Sequence, residues 1–253
     1  MKMKDCNSLL KIHLHMPKTA GTTLKVLMRK NYPPEKIIDL YDSFRSHEEV
    51  VKKLNSLPLE ETEWINCHLS FGIHEHLSRP ATYVTILRDP IERIISDYFF
   101  ILNNPGHGLH KEVSRMDLLD FQSQAIHTNK QCKVILGLPL AESANRNDVK
   151  KAQKILEDYF CFVGITELFT ESAFLMKELF NWPRIKFSNR NVTINRLKAT
   201  EISDEVIQQI RENNKVDIAL YEHARQEVEE KIAGLDPTSK RQLKAILSRT
   251  NLQ

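Results

Sequence analysis

Short apolar runs alternate with helical stripes along this chain. Residues 11–16 (KIHLHM), 63–69 (EWINCHL), 82–88 (TYVTILR) and 161–165 (CFVGI) are brief, apolar and bounded by polar or turn residues, which predicts buried strands. Between them the period changes. After Gly21, the residues Leu24, Leu27 and Met28 fall on one helical face. From Pro90, the residues Ile91, Ile94, Ile95, Tyr98, Phe99 and Leu102 form one stripe, and Asp89 and Pro90 suit the N-cap and first helical position. Residues 167–180 read as a helix. Residues 203–232 read as helical with a break near 212–214, and the tail from Pro237 reads as one more short helix. Buried strands alternating with helices predict an α/β fold, one domain over residues 1–253 with a central parallel sheet flanked by helices.

In such sheets ligands bind at the carboxyl ends of strands, beside helix N-termini. The stretch HMPKTAGTTLKVLMRK, residues 15–30, puts a short polar turn there. Its lysine precedes the glycine, which differs from the triphosphate-binding loop, where lysine follows the glycines and precedes Ser or Thr. TILRDPIERIISDYFF, residues 85–100, repeats the arrangement. Arg88 ends a strand, and Glu92, Arg93 and Ser96 are expected on a helical face apart from the apolar stripe. A guanidinium fork and a hydroxyl suit a second phosphate.

Composition narrows the classes without choosing among them. The 253 residues are 41% hydrophobic and 27% charged, with net charge +3, ordinary globular values that do not make disorder the default and do not call for nucleic acid. No run approaches the ~20 apolar residues of a membrane span, and the N-terminal run is broken by Lys11, His13 and His15, unlike a signal peptide. Cys6, Cys67, Cys132 and Cys161 are far apart without metal spacing and read as reduced thiols, so a cytoplasmic location is expected. His74, Glu75 and His76 match no zinc spacing, and no metal is expected. His13 and His15 share a strand face as packing or pocket-lining residues.

PKTAGTT at 17–23 followed by RDPIERIISDY at 88–98 resembles the sulfotransferases that use 3′-phosphoadenylyl sulfate (PAPS). The similarity is to the branch with the heparan and chondroitin sulfate O-sulfotransferases. NCHLSFG, NKQCKVILG, FVGITELFTESAFLMKEL, NRNVTINR and DIALYEHA resemble further blocks, so the likeness runs from about residue 12 to about 230, leaving the tail 237–253 outside it. The resemblance implies a P-loop-NTPase-like sulfotransferase fold and PAPS as cosubstrate. It implies 5′-phosphosulfate binding by Lys18, Thr19, Ala20, Gly21, Thr22 and Thr23, and 3′-phosphate binding by Arg88 and Ser96. His68 matches the family's histidine and is the candidate general base, and Lys18 is the candidate for stabilising the leaving oxygen. Gly21 is expected to let the backbone approach the phosphate. Cys67, Cys132 and Lys133 depart from the family pattern, which puts substrate contacts in question. Without a match to the stem and membrane anchor of the Golgi members, a soluble, bacterial-type enzyme is expected. The acceptor would be a saccharide or another small alcohol, chosen by loops around 40–62 and 103–146. Residues 190–196 are a candidate to close over the nucleotide. Two rivals stay open: a P-loop-type kinase or nucleotide phosphotransferase, and a catalytically inactive nucleotide-binding domain.

Overall fold

The computed structural model describes residues 6–41, 46–183, 185 and 197–250. In chain order the elements are β1 (Leu10–Leu14), α1 (Gly21–Asn31), β2 (Ile37–Leu40), α2 (His47–Asn55), β3 (Trp64–Cys67), β4 (Ala81–Leu87), α3 (Pro90–Leu102), α4 (His110–Val113), α5 (Leu118–Ser123), α6 (Lys130–Leu136), α7 (Arg146–Tyr159), β5 (Phe160–Ile165), α8 (Phe169–Phe180), α9 (Asp204–Asn213), α10 (Lys215–Ala233) and α11 (Pro237–Thr250). The strands form one sheet in the order β2-β3-β1-β4-β5, and every pairing is parallel. An α/β fold with a helix-flanked parallel sheet is therefore what these residues build.

Strand alternation divides the core. Leu10, Ile12 and Leu14 of β1 pack with Ala152 and Leu156 of α7 and Leu220 and Ala224 of α10. On the other face Trp64, Val84, Ile86 and Phe162 meet Leu24, Leu27 and Met28 of α1 and Ala173 and Met176 of α8. Each such aliphatic side chain, fully buried, contributes about 1.5–3 kcal/mol. The polar members of β1, Lys11 and His13, are buried on the α1 face. A third cluster joins Ile91, Ile94 and Ile95 of α3 to Phe121 of α5 and Ile210 of α9.

Strand order positions the site. The chain leaves β1 toward β2 and β3 on one side, and leaves β4 toward β5 on the other. The connections after β1 and β4 thus diverge, and a crevice opens between their carboxyl ends. The loops after β1, β3 and β4 all reach that edge because the strands are parallel.

The structure differs from the sequence expectation in three places. Strand β2 falls at Ile37–Leu40, a four-residue edge strand too short to show a period. The expected loop region 40–62 holds α2, and the expected loop region 103–146 holds α4, α5 and α6. The helical run 203–232 breaks at Asn214, as its pattern suggests, while the tail forms a 14-residue helix. The candidate closing loop at 190–196 lies outside the described residues.

Candidate active site

The crevice is a cavity of about 810 Å³ whose walls come from the loops after β1, β3 and β4, from α3, and from the segment around α6. Lys18, Ala20, Gly21, Thr22, Thr23, His68, Arg88 and Ser96 line it, so the two sequence motifs and the candidate base meet in one space. Thr19 does not. Its side chain is buried and its Oγ1 donates to the Met16 carbonyl at 2.9 Å. The expected hydroxyl contact of Thr19 with a phosphate is thereby replaced by a bond that shapes the loop from below.

The loop backbone is unusual. Lys18 and Ala20 adopt left-handed conformations, φ 68° and 61°, which cost non-glycine residues about 1–3 kcal/mol each and cluster at functional sites. Helix α1 starts at Gly21 with no side-chain cap, so its first turn keeps backbone donors for an anion. Gly21 itself is not left-handed. A Cβ there would meet the His15 ring at 1.9 Å, so the glycine makes room for a histidine, not only for a ligand.

Arg88 follows β4. Its Nη1 donates to the Lys18 carbonyl at 2.9 Å, tying the two motifs together. Arg88 Nη2 lies 3.6 Å from Glu92 Oε2 and Nε lies 3.7 Å from Glu167 Oε1; Nε is buried and makes no hydrogen bond, so the guanidinium is held between two carboxylates at ion-pair distance. Burial lowers the Arg88 pKa, with Glu167 opposing. Gln131 holds the Arg88 backbone: its Oε1 accepts from the Arg88 N–H at 2.9 Å and its Nε2 donates to the carbonyl at 2.8 Å. On α3, Glu92 and Ser96 face the cavity. Arg93, expected beside them, is buried instead, with Nη2 donating to the His127 carbonyl at 2.9 Å and Nη1 3.8 Å from Asp97. The i,i+1 step from Glu92 carries it round the helix into the packing against the α5–α6 segment.

Two cations flank the candidate chemistry. Lys18 Nζ lies 3.9 Å from the centre of the Phe100 ring, a cation–π contact of about 1–2 kcal/mol that an anion can outcompete. Lys130, which the sequence reading left without a role, also lines the cavity. Burial lowers its pKa, partly offset by Asp97. His68 is exposed in the wall, and its pKa is lowered by desolvation, then by the charges of Lys130 and Lys25. A neutral imidazole facing the cavity can take a proton. His68 Nε2 sits 3.2 Å from His15 Nδ1, which is 2.9 Å from the Tyr41 hydroxyl. His13 is packed below, its Nδ1 3.0 Å from Asn66 Oδ1.

The departures from the family pattern lie beneath the cavity. Cys67 is buried with Sγ 3.8 Å from the His13 carbonyl. The Cys132 N–H donates to Asp217 Oδ1 at 2.7 Å. Lys133 Nζ donates to the carbonyls of Ala125 and Leu140 at 2.7 and 3.0 Å. None of the three lines the cavity; their contacts are with the scaffold. His74 Nδ1 is 2.8 Å from the Tyr83 hydroxyl, and among the described residues no group of three His, Cys, Asp or Glu is placed to hold a metal.

A model of the Sulfotransferase family matches residues 7–224. Among curated relatives, heparan-sulfate 6-O-sulfotransferase 1 of Gallus gallus is 24% identical over 265 residues, covering 85% of this chain and 64% of the relative. The Homo sapiens protein of the same name gives 24% over 267 residues, with shares of 85% and 64%. Heparan-sulfate 6-O-sulfotransferase 3 of Mus musculus is 27% identical over 185 residues, with shares of 60% and 38%. The chain thus spans just under two thirds of the length of the first two. A crystal structure of mouse sulfotransferase SULT7A1 complexed with PAP aligns with TM-score 0.43 and 13% identity, covering 97% of this chain and 87% of that one.

Proposed function

The chain belongs to the sulfotransferase family, and on that footing we propose that it is a PAPS-dependent O-sulfotransferase, moving a sulfuryl group to an acceptor hydroxyl and releasing adenosine 3′,5′-bisphosphate. One observation carries the reading: a single cavity is lined by the Lys18 loop, by Arg88 and Ser96, and by His68. It fits a ligand with two separated phosphates. One end offers the uncapped N-terminus of α1; the other offers the Arg88 guanidinium and Ser96, both in the cavity wall. When bound, PAPS supplies a sulfuryl group on a phosphate leaving group.

The residues divide the work. Backbone donors of residues 20–22 hold one phosphate. Arg88 and Ser96 hold the other. Lys18, a compact charge on a flexible stem, leaves the Phe100 ring and neutralises charge on the leaving oxygen. His68 takes the acceptor's proton as the hydroxyl attacks. Little covalent work falls to the protein, so positioning and charge stabilisation dominate, as in phosphoryl transfer. The curated relatives are named for heparan sulfate, which supports a saccharide acceptor. Segments from the region 103–146, including His107, Leu109 and His127, contribute to the cavity wall and are the proposed selectors. One domain carries the whole reaction in this reading. The four free thiols suit a reducing compartment, proposed to be the cytoplasm, and no helix among the described residues is long and apolar enough to cross a membrane.

The test is calorimetric binding of adenosine 3′,5′-bisphosphate in metal-free buffer by wild type and Arg88→Ala, then mass spectrometry of a saccharide panel incubated with PAPS. Wild type is expected to bind, and Arg88→Ala to lose about 30-fold or more, the value of a desolvated charge-assisted contact of about 2 kcal/mol. His68→Ala is expected to lose about 10²–10⁴-fold in kcat with bisphosphate binding kept. Equal binding by wild type and Arg88→Ala, or none by either, overturns the reading.

A further inference from the structure

The His15 ring joins the phosphate loop to the candidate base. One edge of the imidazole fills the space a side chain at position 21 would need: a Cβ on Gly21 would lie 1.9 Å from His15 Cδ2 and 2.1 Å from Nε2. The opposite edge presents Nδ1 to Tyr41 Oη at 2.9 Å and to His68 Nε2 at 3.2 Å. One flat face stacks on His13 at 5.2 Å and 16°. His13 is anchored in turn. Asn66 donates its Nδ2 to Asp39 Oδ1 at 2.9 Å, which turns its Oδ1 toward His13 Nδ1 at 3.0 Å. Lys25 and Arg29 of α1 hold Asp39. The wedge therefore rests on the sheet, on the first turns of α1 and on Tyr41 at once.

Proton positions follow from these contacts. Burial pushes the His15 pKa down to about 2, with His13, His68 and Lys25 acting in the same direction, so the ring is neutral at working pH. Burial raises the Tyr41 pKa, and Asp39 adds to the rise, so its hydroxyl keeps its proton and is able to donate to His15 Nδ1 or to accept from it. Where His15 Nδ1 is the acceptor, its one lone pair repels a second lone pair, so His68 Nε2 carries the proton in that arrangement and shares the acceptor with the Tyr41 hydroxyl.

We propose that His15 is a positioning residue for sulfuryl transfer: its ring spaces the phosphate loop from His68, and its Nδ1 holds His68 with a proton on Nε2, so that Nδ1 of His68 is offered to the acceptor hydroxyl. This rests on the function proposed above. It adds that the base and the anion loop are set by one shared side chain. The glycine in the loop is then required because position 21 is already occupied by His15.

The experiment combines two readouts. The first is imidazole ¹⁵N NMR of the full chain as wild type, His15→Asn and His15→Leu, recorded without nucleotide. His68 is expected as the Nε2–H tautomer in wild type and in His15→Asn, whose amide stands near the lost Nδ1. A mixed tautomer is expected in His15→Leu, with a shift in the pH dependence of His68, whose other charged and titratable neighbours are Lys130, Lys25 and Tyr41. The second is bisphosphate calorimetry on Gly21→Ala in both backgrounds. Gly21→Ala is expected to weaken binding about tenfold with His15 present and less than about threefold in His15→Asn, where the added methyl has room. An unchanged His68 tautomer in His15→Leu, or equal weakening by Gly21→Ala in both backgrounds, overturns the proposal. Absence of bisphosphate binding by wild type overturns the sulfotransferase reading instead, and the NMR comparison still decides the role of His15.

Discussion

Gln131 makes no wall of the cavity, yet its substitution is expected to damage it. Arg88 lies one residue past β4, where the sheet ladder ends. The Gln131 amide continues the ladder for one residue, accepting the Arg88 N–H at 2.9 Å and donating to its carbonyl at 2.8 Å, from a side chain that is 1% exposed. Replacing it with methionine keeps the volume and removes both bonds. Each orphaned backbone group then costs about 1–3 kcal/mol, less where cavity water replaces the lost partner. The sum worked from these contacts is about 2–4 kcal/mol. Gln131→Ala adds a cavity term of about 1 kcal/mol. Urea unfolding measures stability, and calorimetry with adenosine 3′,5′-bisphosphate measures the site. Both variants are expected to lose stability, with Gln131→Ala losing more. Both are expected to bind about tenfold more weakly, because the Arg88 fork moves with its backbone. If Gln131→Met stays within about 0.5 kcal/mol of wild type and binds equally well, the amide clamp is not what holds Arg88.

Two further outcomes follow from buried groups. Desolvation pushes the His13 pKa down to about 4, so as pH falls below 6.5 the unfolded chain takes up a proton that the native ring refuses until about pH 4. The stabilisation is full above 6.5 and shrinks on acidification, by about 3 kcal/mol at pH 4. Urea midpoints of wild type are therefore expected to fall more steeply between pH 7 and 5 than those of His13→Asn, and parallel slopes would contradict this. Gly137 ends α6 at φ 72°, and an added Cβ would lie 2.8 Å from the Phe71 carbonyl. Gly137→Ala is expected to cost about 2 kcal/mol in thermal unfolding, whereas Gly106→Ala, whose Cβ meets only Asn104 Oδ1 at 3.5 Å, is expected to change little.

What the sequence determined by itself was local and periodic. The apolar runs marked four of the five strands, and the stripe after Asp89 and Pro90 marked α3 with its cap. The break at Asn214 showed in the loss of the helical stripe. The pairing of a lysine turn with an arginine turn marked two strand ends that line one cavity, because each motif sits within one strand–helix junction. Only the tertiary structure decided what each polar side chain faces. Thr19 reads like its neighbours, but the left-handed residues on either side turn it under the loop. Arg93 reads like a pocket residue, but its partners His127 and Asp97 fix it in the packing around α3 and α6. Lys130 lines the cavity and Gln131 holds the Arg88 backbone because α6 packs across the end of β4, a contact between segments more than 40 residues apart. Gly21 and His15 are neighbours in one short motif, and still their reciprocal fit is invisible in the order of letters. Periodicity reports which face of an element is apolar; hydrogen bonds and steric exclusion across the crevice depend on where separate elements come to rest.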